Sequence, residues 1–479
     1  MFFNSIDFAV FLPVVFAIYW FTQRYGLLYQ NIVLLSASYI FYGWWDWKFL
    51  SLITISIVSD YFIAHKIHNE SVKHKRKKWL WLSLFINLGM LAIFKYFNFF
   101  VDNFVEAFQF FGANINSVSL KIILPVGISF YTFQTLSYTI DIYREKIKPS
   151  NNFIAFASFV SFFPQLVAGP IERASHLLPQ FSILHKFDYH KAVDGSRQIL
   201  WGMFKKVVIA DNCAEYVNVI FAQSDQLSGF ILVLGAIFFG IQIYCDFSGY
   251  SDIAIGTARL FGFDLKQNFA FPYFSRNVGE FWRRWHISLT SWFRDYLYIP
   301  LGGSRSNTIR NIFIIFIVSG FWHGANWTFF MWGLTNALFF LPSILMKQNR
   351  KYLDVVAQGK YLPSPKEVIL MLTTFGLISF SWIFFRAENL SHALVYVYNI
   401  FTIDFFKHSF IPPDINIFKY AFSLFFILVL LIIEWLQRHK QHGLELKNNQ
   451  ITNWAIYLSL TSAIFLFGGG EHQFIYFQF

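Results

Sequence analysis

The sequence places a histidine where an ionisable side chain is costly. His323 lies in the apolar run IIFIVSGFWHGANWTFFMWG. It is twelve residues beyond Asn311, which is about 18 Å along a helix and near the middle of roughly 30 Å of hydrocarbon. An intramembrane ionisable group marks a functional position by default. An imidazole titrating near about 6.5 suits a general base that takes a proton from a hydroxyl at neutral pH. Gly320 and Gly324 would let a second backbone or a substrate chain come close, and Trp322, Trp327 and Trp332 are bulky enough to wall a cavity. The competing reading is a buried histidine bonded to a neighbouring helix.

His286, 37 residues earlier in RRWHISL, is the second candidate. Two histidines reaching one cavity could act as a base and an orienting or acid group. No short-range ligand spacing joins them, which disfavours zinc. YCDFSGYSDIAIG puts Asp246 and Asp252 in an apolar helix, to meet a substrate hydroxyl or to pair with an arginine from 276–305. FFPQLVAGPIER carries Pro164 and Pro170 around Gln165, which predicts a broken or re-entrant helix. Arg386 closes the apolar run SWIFFR, to bind substrate or to snorkel to the surface. Neither a G-x-S-x-G elbow nor a phosphate-binding glycine loop is present in the sequence.

The elements that must hold these residues are membrane helices. The chain has 479 residues, 56% hydrophobic and only 14% charged, against roughly a quarter charged in soluble proteins. That balance excludes a soluble enzyme, a disulfide scaffold and a nucleic-acid binder. Ten or more apolar stretches are candidate spans, near 8–21, 28–45, 49–64, 79–95, 121–140, 153–169, 197–213, 229–249, 311–345, 367–385, 417–435 and 452–468. The 311–345 stretch is long enough for one kinked helix or two short ones. With no internal repeat or soluble appendage, residues 1–479 read as one integral domain.

The net charge of +11 reports topology and lipid headgroups. Residues 65–78 carry Lys66, Lys73, Lys75, Arg76, Lys77 and Lys78 against Glu70, which places them in the cytoplasm and the N-terminus outside after three crossings. The N-terminal stretch reads as a retained helix and not a signal peptide. The loop 347–366 is polar, with a tip that could be disordered.

The interval 263–310 holds seven Lys or Arg and three Asp or Glu among many aromatics. On a helical wheel Trp282, Trp285, Leu289, Trp292, Phe293 and Tyr296 share one face, with Arg283, Thr290, Ser291 and Arg294 opposite. A helix lying in the interface or re-entering the membrane is expected, on the cytoplasmic side.

Taken in order, FFPQLVAGPIER, YCDFSGYSDIAIGTARLFGF, NFAFPYFSRNVGEFWRRWHISLTSWFRDYLYIPLGGSR, FIVSGFWHGANWTFFMWG and SWIFFRAENL resemble the membrane-bound O-acyltransferase family. The likeness is to its bacterial branch of alginate O-acetylases, peptidoglycan O-acetylation proteins and teichoic acid D-alanyl transfer proteins. The resemblance implies about eleven transmembrane helices, plus re-entrant and interfacial segments, around a funnel. It implies that His323 is the catalytic base and His286 the second family histidine. Asp246, Asp252 and Arg386 fall in matching motifs without an implied role, and Trp322 and Trp327 are expected beside substrate.

The reaction implied is transfer of an acyl group, expected to be acetyl, from a cytoplasmic thioester such as acetyl-CoA. The group would pass across the inner membrane toward an exported polysaccharide such as alginate. No bound cofactor is expected. Expected partners are membrane lipids, CoA or an acyl carrier protein, and a periplasmic or extracellular acetyltransferase. Basic residues of 276–305, with Lys66 to Lys78, could attract the donor's phosphates. D-alanyl transfer, peptidoglycan O-acylation, a transporter with broken helices and an export scaffold are the rival readings.

Overall fold

A computed structural model of the chain describes residues 1–110, 125, 127–167, 169–402, 405, 416–446, 449–468 and 474–475. Among them every regular element is helical. The chain divides into two compact units, one of residues 1–195 with 257–266, the other of 196–256 with 267–479.

The first unit begins with α1 (Ile6–Thr22), α2 (Leu27–Gly43), α3 (Leu50–Asn69) and α4 (Lys73–Leu91). The last continues through a π-helical turn into α5 (Phe97–Phe110). After α6 (Ile128–Tyr143), the 153–169 stretch breaks as its prolines require. α7 (Phe153–Ser161) stops at Phe162, and α8 (Phe163–Leu166) restarts with Pro164 in its first turn. Gln165 then donates from Nε2 to Gln134 Oε1 at 2.7 Å. Residues 121–124 and 126 of the expected 121–140 span lie outside the described residues. A short α9 (Ala174–Leu177) leads to α10 (Tyr189–Met203).

The second unit holds the candidate residues. α10 passes through a π-helical stretch, Phe204–Ala210, into α11 (Asp211–Ala222). The long α12 (Gly229–Leu260) follows. Gly202 and Gly249 let α10 and α12 touch: a Cβ on Gly202 would lie 2.5 Å from the Gly249 carbonyl oxygen. Beyond them come α13 (Val278–Arg284), α14 (Ile287–Phe293), α15 (Thr308–His323), α16 (Trp327–Leu345), α17 (Pro365–Arg386), α18 (Leu390–Thr402), α19 (Ile417–Leu436) and α20 (Gln450–Phe467).

Among the described residues eight helical segments are long and apolar enough to cross a membrane. Two further apolar helices, Phe153–Leu166 and Thr308–His323, are shorter. Among the described residues the expected figure of about eleven is not confirmed, and the apolar stretches 153–169 and 311–345 are each cut by an internal break. Exposed large apolar side chains such as Ile6, Phe85, Ile369, Phe418 and Phe465 form the lipid-facing surface that such helices need.

Candidate active site

The 311–345 stretch forms two helices, and the break falls directly after His323. α15 ends at His323, Gly324 continues in extended conformation, and Asn326 caps α16 by accepting from the Thr328 amide. Gly320 and Gly333 press the two helices together. A Cβ on Gly320 would lie 2.2 Å from the Phe329 carbonyl oxygen, and one on Gly333 2.4 Å from that of Phe316. The close approach expected at Gly320 is therefore made by the following helix and not by a substrate chain. Gly324 likewise lies against the Phe329 ring.

His323 stands at this break, 5% exposed, within a box of rings. Trp322, Trp332 and Phe385 centroids lie 4.9, 5.1 and 5.3 Å from its own. Trp382 stacks on Trp332 at 5.6 Å and 20°.

His286 arrives by a second break. The helical wheel over 282–296 assumed one continuous helix, whereas the chain leaves α13 after Arg284 and restarts at Ile287. His286 sits between them in left-handed conformation at φ 42°, ψ 55°. A non-glycine residue there needs outside support. The irregular stretch 268–270 gives it. Asn268 O accepts from the Ile287 amide at 2.9 Å, and the Ala270 amide donates to Arg284 O at 3.0 Å. The break turns His286 inward: it is 1% exposed, with the Phe247 ring edge-on at 4.7 Å. Burial among such groups pulls its imidazole well below the ordinary histidine pKa, so it is held neutral.

These two breaks bring both histidines to one cavity of about 60 Å³. His286, Leu289, Thr290 and Phe293 line it with Trp282 and Trp285. Ile315, Phe316, Ser319 and His323 of α15 complete the wall. The lining carries no charge apart from whatever the imidazoles bear. Trp322 is buried with its ring 6.0 Å from His286 and 4.9 Å from His323. It packs behind the cavity and does not line it. Trp327 is 48% exposed and packs on Phe330. It opens α16 and does not line the histidine cavity.

Asp246 and Asp252 have other partners. The π-helical stretch carries Lys205 and Lys206, which the sequence reading passed over although both interrupt apolar sequence. Lys206 Nζ is 2.8 Å from both Asp211 Oδ1 and Asp246 Oδ1. Asp246 Oδ2 also accepts from the Ile475 amide at 2.7 Å. Lys205 Nζ donates to Asp252 Oδ2 at 2.6 Å and to Ser248 at 2.8 Å, while Gln198 donates to Asp252 Oδ1. The partners are thus lysines of a neighbouring helix and not the arginines of 276–305. Nearby, Glu434 of α19 accepts from the Tyr244 hydroxyl at 2.8 Å. A second cavity, of about 10 Å³, is lined by Lys205, Ser251, Asp252, Glu434 and Asn268. Arg386 donates to Asn218 Oδ1 at 2.8 Å and lies 5.3 Å from the Phe221 ring centre. It does not line the histidine cavity.

The arginines before His286 hold down the loop after α16. Arg276 pairs with Glu280 at 3.1 Å and with Asp354 at 3.0 Å. Arg283 donates to Tyr352 O at 2.6 Å and Arg284 to Asp354 O at 2.9 Å. Arg438 donates to Val356 O and Ala357 O. The polar loop is therefore pinned, and these guanidiniums are already engaged by protein oxygens.

Residues 143–362 match the model of the membrane-bound O-acyltransferase family, a range that includes both histidines. A probable alginate O-acetylase of Pseudomonas aeruginosa is 41% identical over 398 residues, covering 82% of this chain and 73% of its own. The peptidoglycan O-acetyltransferase of Helicobacter pylori is 34% identical, covering 98% of this chain and 95% of its own. The teichoic acid D-alanyltransferase of Bacillus subtilis is 26% identical, covering 56% and 70%.

Proposed function

The chain belongs to the membrane-bound O-acyltransferase family, and from that premise we propose that it O-acetylates an exported cell-surface polysaccharide such as alginate. The donor in this reading is a cytoplasmic thioester, acetyl-CoA, and the protein sits in the inner membrane with its N-terminus outside. The observation that carries it is the shared cavity: two buried histidines face one small uncharged space from separate helix breaks.

In the proposed reaction His323 takes the proton of an acceptor hydroxyl as that oxygen attacks the thioester carbonyl carbon. An ester C–O bond forms, the C–S bond breaks, and the thiolate leaves and takes up a proton, so charge and atoms balance. The low-polarity walls strengthen each hydrogen bond made during the step. Trp282 lines the cavity, and its buried indole N–H has no acceptor among the described residues. It is a candidate donor to the oxygen that becomes negative. His286 serves as the orienting group. A periplasmic or extracellular acetyltransferase that receives the acetyl group, or the polymer itself, is the proposed acceptor. Membrane lipids surround the spans, and CoA or an acyl carrier protein delivers the donor.

A second acceptor, peptidoglycan, is favoured by the Helicobacter pylori relative, whose match spans nearly the whole of both chains. Ester-linked acetate is measured on extracellular polysaccharide and on peptidoglycan from wild type, a deletion, and the deletion complemented with His323→Ala. Loss from one polymer in both mutants supports the reading and names the acceptor. Unchanged acetate in the deletion overturns it and turns attention to D-alanine esters or to transport.

A further inference from the structure

Asn268 is fully buried and stands between the two cavities of the second unit. Its side-chain oxygen lies 3.1 Å from His286 Nδ1. The same oxygen accepts from the Ser288 hydroxyl at 2.9 Å and from the Ser288 amide at 3.3 Å. A backbone N–H can only donate, so the atom facing it must be the amide oxygen and not the nitrogen. That fixes which way round the Asn268 amide lies. An amide oxygen can only accept, so His286 Nδ1 must be the donor to it. Ser288 Oγ, 3.5 Å from Nδ1, is consistent because its proton already points to Asn268.

The other end of the amide agrees. Asn268 Nδ2 has no hydrogen-bond acceptor among the described residues, and the residue lines the cavity of about 10 Å³ where Asp252 and Glu434 offer carboxylates. A space of that size takes one water molecule. Turning the amide over would put the NH₂ against the Ser288 N–H and the carbonyl toward two carboxylate side chains, which is worse on both sides.

We propose that Asn268 is the positioning residue of the site: it holds His286 as the Nδ1–H tautomer, which puts the ring's lone pair on Nε2. An asparagine that accepts without carrying charge does this while keeping the imidazole neutral. The charged and imidazole groups that line the two cavities with it are Lys205, Asp252, Glu434 and His442 on the Asn268 side and His323 across from His286. The inference rests on His286 belonging to the acyl-transfer site.

The test is the side-chain nitrogen spectrum of ¹⁵N-histidine-labelled protein in lipid nanodiscs, with His286→Asn used to identify the His286 signals. The result expected is a proton on Nδ1 and a bare Nε2 in wild type, and loss of that preference in Asn268→Leu. A proton on Nε2 in wild type overturns the assignment without any change at Asn268, so it decides even where Asn268→Leu does not accumulate. Acetyl transfer is followed in parallel. Asn268→Leu is expected to lose roughly 10- to 100-fold, part of the roughly 10²- to 10⁴-fold that a placed acid or base supplies. Asn268→Asp keeps the acceptor and adds a negative charge, so it should retain the tautomer and shift the rate profile to higher pH. Wild-type rate and profile in both variants would also overturn the proposal. The Nδ1–H tautomer in a protein that transfers no acetyl group supports the Asn268 assignment and contradicts the acyl-transfer reading, so the two fail separately.

Discussion

The cavity of His286 and His323 and the cluster of Lys205, Lys206, Asp211, Asp246 and Asp252 lie within one unit, yet they handle buried polarity in opposite ways. The cluster gives each lysine a carboxylate at 2.6–2.8 Å. The histidines instead face a space walled by Trp282, Trp285, Phe293 and Phe316. Charges compensated so closely have few lone pairs left for a substrate, which is the arrangement of a brace between α10 and α12. The imidazoles open onto an apolar space whose lining holds no carboxylate, which leaves room beside them for a substrate. In a membrane protein a buried ionisable group thus becomes a catalytic candidate by the space it faces more than by its burial.

The largest expected effect breaks the brace. Lys206→Met strands Asp211 and Asp246, at a cost of about 3–5 kcal/mol, so little protein should remain in the membrane fraction. Adding Asp211→Asn and Asp246→Asn should restore much of it. If Lys206→Met accumulates normally but stops transfer, the cluster belongs to the chemistry and the contrast collapses. Gly333→Ala comes next, because its Cβ would meet the Phe316 carbonyl at 2.4 Å. Forcing α15 from α16 should cost about 1–3 kcal/mol and be visible as a lower melting temperature in detergent.

The third effect is a pH dependence. His286 has its pKa lowered by burial relative to an ordinary value of 6.5. Below about that pH the unfolded chain binds a proton that the folded chain refuses, so stability is complete above it and falls with acid. The melting temperature of His286→Gln should fall less steeply between pH 7 and pH 5 (order-of-magnitude limits set by the histidine reference value). An equal slope would contradict the neutral imidazole. The smallest effect is at Trp327, outside the cavity. Trp327→Phe should change stability by less than about 0.5 kcal/mol and leave polymer acetate as in wild type; a marked loss of acetate would bring it back into the site.

Much of this was legible in residue types. Histidine amid apolar sequence, prolines inside an apolar run and glycines spaced along it gave His323, the break at Phe162 and the close pairing of α15 with α16. The wheel over 282–296 failed because periodicity presumes right-handed helix throughout, and the left-handed backbone at His286 resets the phase. Asn268 and the lysines escaped for a different reason. Asn268 meets His286 18 residues away and Lys205 meets Asp252 47 residues away, and nothing local marks such pairs. Lys205 and Lys206 did carry one usable signal, a double cation inside an apolar stretch, which by cost alone demands buried acid.

The proposed reaction stands or falls on His323. Ester-linked acetate per sugar residue is measured on the polymers of the deletion strain carrying His323→Ala, with the variant shown to reach wild-type levels in the membrane. Acetate is expected at the level of the deletion itself. Acetate restored to the wild-type level would show that the cavity is not where the acyl group is transferred.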